Sequence, residues 1–327
     1  MKCPKCGNEI VYDSVFCEYC GTKIDIVDDQ EIKKNRKKFL KVLVSTLIGL
    51  LALYLLFVIA VHAFTYYQEI IDREAQFRIG NPHAYYTETA FDVNMKMIWV
   101  EGGDFMMGCT SEQGNDCGDD EKNVRRVTVD GFYIGMLEVT QSQWEKVMGT
   151  SIYQQKSKAN TNSTYGVGPD YPMYYVSWEE ATEFCRLLSN KTGRTYTLPT
   201  EAQWEYAARG GKKADGTKYA GSNVIDAVAW YGNNSGSTSH VCGSKRANAL
   251  GIYDMSGNVW EWCKDWYASS YVSYDTNNPT GPSSGYFPVN RGGGWDTLAP
   301  YCRVASRFCS TPSSRYGDLG FRVVCIP

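Results

Sequence analysis

The sequence predicts an α+β protein whose large domain carries little regular secondary structure, preceded by a small metal-stapled module and one membrane-spanning helix. Three observations support this. Two CxxC turns stand ten residues apart at the N-terminus. A run of 23 residues, 42–64, holds no Asp, Glu, Lys or Arg. From residue 94 onward, short strand-like segments and a few capped helices are broken by glycine-rich loops. At 327 residues the chain accommodates one domain of about 200–250 residues plus appendages. A net charge of −3 gives no nucleic-acid footprint. Aromatic residues make up 14%, which suits loops pinned by large side chains.

The first module, residues 1–25, contains CPKCG at 3–7 and CEYCG at 17–21. Cys3, Cys6, Cys17 and Cys20 supply the four thiolates that tetrahedral zinc requires. A piece this short cannot bury a core, so metal binding would be its folding energy. It resembles the small zinc ribbons at the N-termini of many prokaryotic membrane proteins. That resemblance implies a structural module or one that docks a cytoplasmic partner.

A basic linker, 26–41, follows, and then the apolar run 42–64. At 1.5 Å per residue the run spans about 30 Å of hydrocarbon as a helix. Lys33, Lys34, Arg36, Lys37, Lys38 and Lys41 flank it on one side; Glu69, Asp72, Arg73 and Glu74 lie on the other. The positive-inside rule puts the N-terminus in the cytoplasm and the large domain outside the cell membrane. Four reduced cysteines inside and eight cysteines outside agree with that orientation. His62, near the end of the run, reads as an interfacial side chain. Residues 65–93 form a stalk, mixed helical or extended, in which Pro82 argues against a continuous helix.

The large domain, 94–327, opens with two strands around a Gly-Gly turn at 97–108 and an alternating segment at 124–129. Thr140 caps a helix with Gln143 at its third position, and Ser177 caps another with Glu180. The second carries Ala181, Phe184, Leu187 and Leu188 on one face. A third helix starts at Thr200 and runs through Trp204, Tyr206, Ala207 and Ala208. Asn115, Asp116, Asp119, Asp120 and Glu121 read as a solvated acidic loop. Cys109 and Cys117 bracket its first part and can close a small disulfide loop. His62, His83 and His240 form no triad or ligand pair.

Five segments then occur in order: EVTQ at 138–141, VSWEEA at 176–181, LPTEAQWEYAARGG at 198–211, GIYDMSGNVWEW at 251–262 and LGFR at 319–322. Together they closely resemble the formylglycine-generating or sulfatase-modifying-factor domain, a relative of the C-type lectins. The resemblance covers about residues 94–325 and implies that fold. Enzymes of the family oxidise a sulfatase cysteine using molecular oxygen and copper(I) held by two cysteines, the soft ligands that ion prefers. Counted from Gly292, Gly293 and Gly294, the first cysteine position holds Thr297. The second falls at Cys302, although counting back from the RVASR segment puts Cys302 too close to Arg303. Cys309 lies in another part of the segment. One thiol cannot replace two, so neither catalytic residues nor copper are expected.

The resemblance also implies a calcium loop, with carboxylates from Asp254 and Glu261 and carbonyls from Gly257 and Val259. A metal-free turn stapled by Trp260 and Trp262 is the alternative. The family's other calcium loop has no counterpart here. Cys185 matches a family cysteine whose partner would here be Cys325.

Within 291–322, frame-like residues alternate with short runs. The frame is 292–295, Cys302, Arg303, Val304, Ala305, Arg307, Pro312, Arg315 and 319–322. The runs are Asp296, Thr297, Leu298, Pro300, Tyr301, Ser306, Phe308, Cys309, Ser310, Thr311, Ser313, Ser314, Tyr316, Gly317 and Asp318. They contain no Lys, Glu, Gln, Met or Trp. Every residue type present has a codon ending in a pyrimidine, as randomising the first two bases of an Asn codon would yield. The pattern is similar to the variable proteins of diversity-generating retroelements. Together with the apolar helix it implies a membrane-anchored, non-catalytic display protein; an ordinary loop in a catalytically inactive relative is the other reading of the runs. Tyr301, Phe308 and Tyr316 would be aromatic anchors for an external protein or cell-surface ligand. Trp295, Arg303, Arg307, Arg315 and Phe321 would brace the loops from beneath. The alternative is a formylglycine-generating oxidase or another oxidoreductase of the family.

Overall fold

The computed structural model describes residues 2–11, 16–23, 29–80, 84–271 and 276–327. Pro82 and His83 lie outside the described residues. The chain divides into two compact units, Met1–Phe77 and Arg78–Pro327.

In the first unit each CxxC turn closes in the same way. Gly7 N donates to Cys3 O (3.0 Å) and Gly21 N to Cys17 O (2.8 Å). Both glycines have positive φ, 74° and 66°, which the tight turn needs. Helix α1, Asp29–Gly80, contains the stretch Arg36–His62, long and apolar enough to cross a membrane. The helix continues through 65–80, part of the stretch read as stalk, and ends two residues before Pro82, a residue that disfavours helix before it.

The second unit is built on a five-stranded antiparallel sheet ordered β1-β2-β5-β11-β6. Its strands are β1 (Tyr85–Glu88), β2 (Met95–Val100), β5 (Phe132–Gly135), β11 (Val324–Ile326) and β6 (Thr195–Thr197). The domain therefore begins before residue 94: β1 lies in the stretch read as stalk, yet Tyr85 pairs with Ile98 in the sheet. The strands on either side of the Gly-Gly turn do not pair with each other. Instead β3 (Gly103–Met107) forms a separate ribbon with β4 (Arg125–Val129). Gly102 is needed at that crossing, since a Cβ there would stand 2.7 Å from Gly131 N.

All three expected helix starts carry capping boxes: α2 (Gln141–Met148) from Thr140, α4 (Trp178–Thr192) from Ser177 and α5 (Glu201–Ala208) from Thr200. A short helix, α3 (Ile152–Lys158), follows α2. Trp144 on α2, Phe184 on α4 and Phe321 meet in the core, with Phe184 and Phe321 edge to face at 5.3 Å. A second sheet, ordered β10-β7-β8-β9, holds the C-terminal segment. It comprises β10 (Leu319–Gly320), β7 (Trp260–Trp266), β8 (Pro288–Arg291) and β9 (Arg307–Cys309), with β10 parallel to β7.

Cys109 and Cys117 form a disulfide. Cys185 and Cys325 do not: both are free and buried. Cys185 faces the core from α4 beside Phe184 and Leu188. Cys325 sits at the Tyr86 and Tyr196 hydroxyls, which engage its thiol.

Candidate ligand-binding face and metal centres

Frame and runs separate by burial. Residues 292–295, Cys302, Arg303, Val304, Ala305, Arg307 and 319–322 are buried, while Pro312 and Arg315 of the frame are half-buried. Every run position is exposed or half-buried except Ser306 and Ser310. Those two belong with the frame. The carbonyl of Ser306 accepts from Arg291, and the Ser310 hydroxyl accepts from Asn290 Nδ2 at 3.2 Å. Leu298, Tyr301, Phe308 and Tyr316 are each about half exposed or more, at 62, 47, 50 and 53%. Phe308 lies over the buried Trp260 with centroids 5.4 Å apart. Gly317 is confined despite its place in a run, because a Cβ there would meet the Tyr165 ring at 2.4 Å.

Beneath this face the arginines expected to brace it each hold a carboxylate. Arg303 donates to both oxygens of Glu121, at 2.7 and 2.8 Å, and to Asp116 O at 2.9 Å. Arg307 donates to both oxygens of Glu201, at 2.6 and 2.8 Å. Arg315 pairs with Glu180, and Arg291 with Glu205. Planar guanidinium suits such two-point contacts. Burial pushes the Glu201 carboxyl up, but Arg307 and Arg291 beside it hold it below the usual carboxylate range. Trp295 Nε1 donates to Gly317 O at 2.9 Å. Four of the five braces named from the sequence thus touch the runs or their supporting carboxylates; Phe321 packs in the core.

The acidic loop is not simply solvated. Glu121 is 3% exposed under Arg303, and Asp120 accepts from the Tyr267 hydroxyl at 2.8 Å. Gln113, inside the disulfide loop, accepts from Ala305 N at 3.4 Å. Loop 109–121 is therefore a buttress of the face. Its partners are separated by roughly 190 residues in sequence, so no local pattern reveals the contact.

On the same segment, Thr297 Oγ1 stands 3.7 Å from Cys302 Sγ. The two positions counted from the glycine turn are thus neighbours, one a hydroxyl and the other a thiol. The first holds a hydroxyl that donates to Gly294 O at 2.8 Å and accepts from Gly294 N at 3.0 Å. Burial pushes the Cys302 thiol up to about 12. Cys309 belongs to β9 and is half-buried.

In the loop expected to hold calcium, the Glu261 carboxylate is engaged by protein donors: Oε1 accepts from Arg322 Nη2 (2.7 Å), and Oε2 from Arg322 Nε and Trp204 Nε1 (2.7 Å each). Gly257 N donates to Gly292 O, and Val259 N to the Glu138 carboxylate, so the loop braces the frame. Asp254, in a left-handed conformation at φ 56°, places a carboxylate oxygen within 4.8 Å of donor atoms of Glu138 and Cys242. Neither of those was singled out as a ligand from the sequence, although Glu138 opens one of the five recurring segments.

At the N-terminus the four thiol sulfurs of Cys3, Cys6, Cys17 and Cys20 lie within 4.8 Å of one another, a set that fits tetrahedral zinc. The Thr22 hydroxyl lies 3.2 Å from Cys20 Sγ, beside the cluster.

The sequence profile of the sulfatase-modifying factor enzyme 1-like domain matches residues 85–326. The chain belongs to this family. A zinc-ribbon domain profile matches residues 2–24. Among relatives of this sulfatase-modifying-factor-like chain is the chaperone protein LppX of Paenibacillus barcinonensis. It is 32% identical over 282 residues, covering 71% of this chain and 90% of that protein. The formylglycine-generating enzyme of Mus musculus is 31% identical over 283 residues, covering 69% and 74%. Among solved structures, Treponema denticola variable protein 1 superposes with a TM-score of 0.64 at 30% identity. That match covers 74% of this chain and 99% of the other.

Proposed function

We propose that the sulfatase-modifying-factor-like domain displays a ligand-binding face and does not carry out the family's oxidation. The observation behind this is the split in 291–322 between mostly buried braces and run positions exposed or half-buried over them, Ser306 and Ser310 apart. Leu298, Tyr301, Phe308 and Tyr316 supply large apolar contact, while the Ser, Thr and Asp positions supply adaptable hydrogen bonding. Similarity to the Treponema variable protein supports the same reading. The partner is an external protein or cell-surface molecule. Helix α1 anchors the chain as a single pass, with the zinc ribbon in the cytoplasm and the face outside, as the flanking charges favour. The near-neutral charge argues against a nucleic-acid partner.

Diversification by a retroelement is testable at the locus. Sibling copies should differ at the run positions and agree at the frame, with a near-repeat of the segment and a reverse transcriptase nearby. A locus with neither removes diversification and leaves a fixed receptor. Topology is read by protease treatment of intact cells, which should remove the large domain and spare the N-terminus.

The second reading, an oxidase, rests on similarity to the mouse formylglycine-generating enzyme. It requires two thiols where this chain has Thr297 and Cys302. The wild-type protein should form no aldehyde on a cysteine-containing sulfatase peptide, and Thr297→Cys should raise copper(I) affinity at least tenfold. Aldehyde formation by the wild type would reinstate the enzyme.

A further inference from the structure

Three segments distant in sequence converge behind the 254–258 turn. Glu138 precedes the cap of α2, Cys242 lies in the long loop before β7, and Asp254 opens the turn itself. One donor atom from each lies within 4.8 Å of the others, and all three residues are buried. We propose that Glu138, Cys242 and Asp254 form a second metal centre that takes a borderline divalent cation, zinc or cobalt(II), rather than calcium. This centre is independent of the ligand-face reading and differs from the calcium shell expected for the family.

The donor chemistry selects the ion. Calcium takes six to eight oxygen ligands, whereas this cluster offers a thiol beside two carboxyl groups. One thiolate with two carboxylates is a set that zinc accepts, at about 2.3 Å to sulfur and 2.0–2.2 Å to oxygen. Those bond lengths put tetrahedral donors roughly 3.3–3.6 Å apart, so donors within 4.8 Å need only side-chain adjustment. A backbone carbonyl or water completes four-coordination.

Arg322, the cation beside the cluster, donates to Glu261, Gly135 O and Tyr253 O and directs none of these bonds to the trio.

Two of the three side chains are already held in place by hydrogen bonds. Gly243 N donates to Asp254 Oδ2 at 2.6 Å, and Asn258 Nδ2 donates to Glu138 Oε2 at 2.9 Å. Such bonds fix ligand orientation. Asn258 O also accepts from Trp295 N at 2.8 Å, so the centre is tied to the frame of the face.

The test is metal content of the full chain, purified in detergent with zinc and freed of excess ion. Two zinc per chain are expected. Cys242→Val and Glu138→Gln should each leave one, and the Cys17→Ser/Cys20→Ser chain should also keep one. Cobalt(II) in that last chain should give a thiolate-to-cobalt absorption that Cys242→Val removes. Near-UV circular dichroism checks that each variant is folded, and Glu138→Gln decides if Cys242→Val is not. One zinc in the wild type, or two retained by both folded variants, overturns the proposal. So does a calcium-induced rise in melting temperature that Asp254→Asn abolishes while zinc produces none.

Discussion

Within residues 291–322 two populations share one stretch of chain and answer to different physics. Arg303 is 1% exposed, fixed by two bonds to a carboxylate some 180 residues away; Tyr316, thirteen positions on, is 53% exposed. The first kind of residue is specified by partners that must be satisfied once water is excluded. The second is specified by whatever lies outside. A domain can change its surface chemistry freely only where these two roles are kept on separate side chains, and here they alternate within one segment.

The contrast is sharpest at the Arg303–Glu121 pair. Arg303→Met leaves Glu121 buried without its counter-charge and should cost about 3–5 kcal/mol in urea unfolding. The double variant Arg303→Met/Glu121→Met should recover most of that loss, because an apolar pair replaces an ionic one. Full loss in the double variant would mean that Arg303 matters through its bonds to Asp116 O and Pro300 O instead.

An intermediate effect is expected at Asp318, which sits on the boundary between the two populations. Burial, and then the charge and hydrogen bond of Asp296, push its carboxyl up to about 8. The folded state therefore binds a proton more tightly than the unfolded chain, whose value is 3.8. Between about pH 4 and pH 8 the folded state holds the extra proton, so stability falls as pH rises. Asp318→Asn should raise the melting temperature by a few degrees at pH 8, roughly 2–4 °C, and change little at pH 4. An equal gain at both pH values would show that the shift is not titration.

The smallest effects belong to the exposed runs. Leu298→Ser and Tyr316→Ser should each alter stability by less than about 0.5 kcal/mol while abolishing ligand capture. A loss of several kcal/mol at Tyr316 would make it part of the frame and erase the distinction.

Much of this was legible in the sequence because it is local. Capping boxes at Thr140, Ser177 and Thr200, the paired CxxC turns and the apolar stretch of α1 each lie within a few residues or one helix. The frame arginines were legible as braces, but their partners were not. Glu121 read as solvated, and nothing near it in sequence indicates that Arg303 will cover it. Ser306 and Ser310 read as surface for the same reason: a serine declares its burial only through the arginine or asparagine that meets it. The Glu138–Cys242–Asp254 cluster joins three segments, and the arginine that holds Glu261 lies 61 positions later. Pairings across such distances are set by topology.

Gly317 carries a consequence for how this surface can change over generations. It sits among positions whose codons look interchangeable, yet the Tyr165 ring occupies the space a side chain would need. A side chain there requires the Tyr165 ring to move, so most substitutions should cost stability. Lineages that retain Tyr165 should therefore show glycine at 317 far more often than mutation alone would supply it, whereas a smaller residue at 165 would open the position. The chemistry this face can present is limited by one aromatic ring outside it as well as by its own positions.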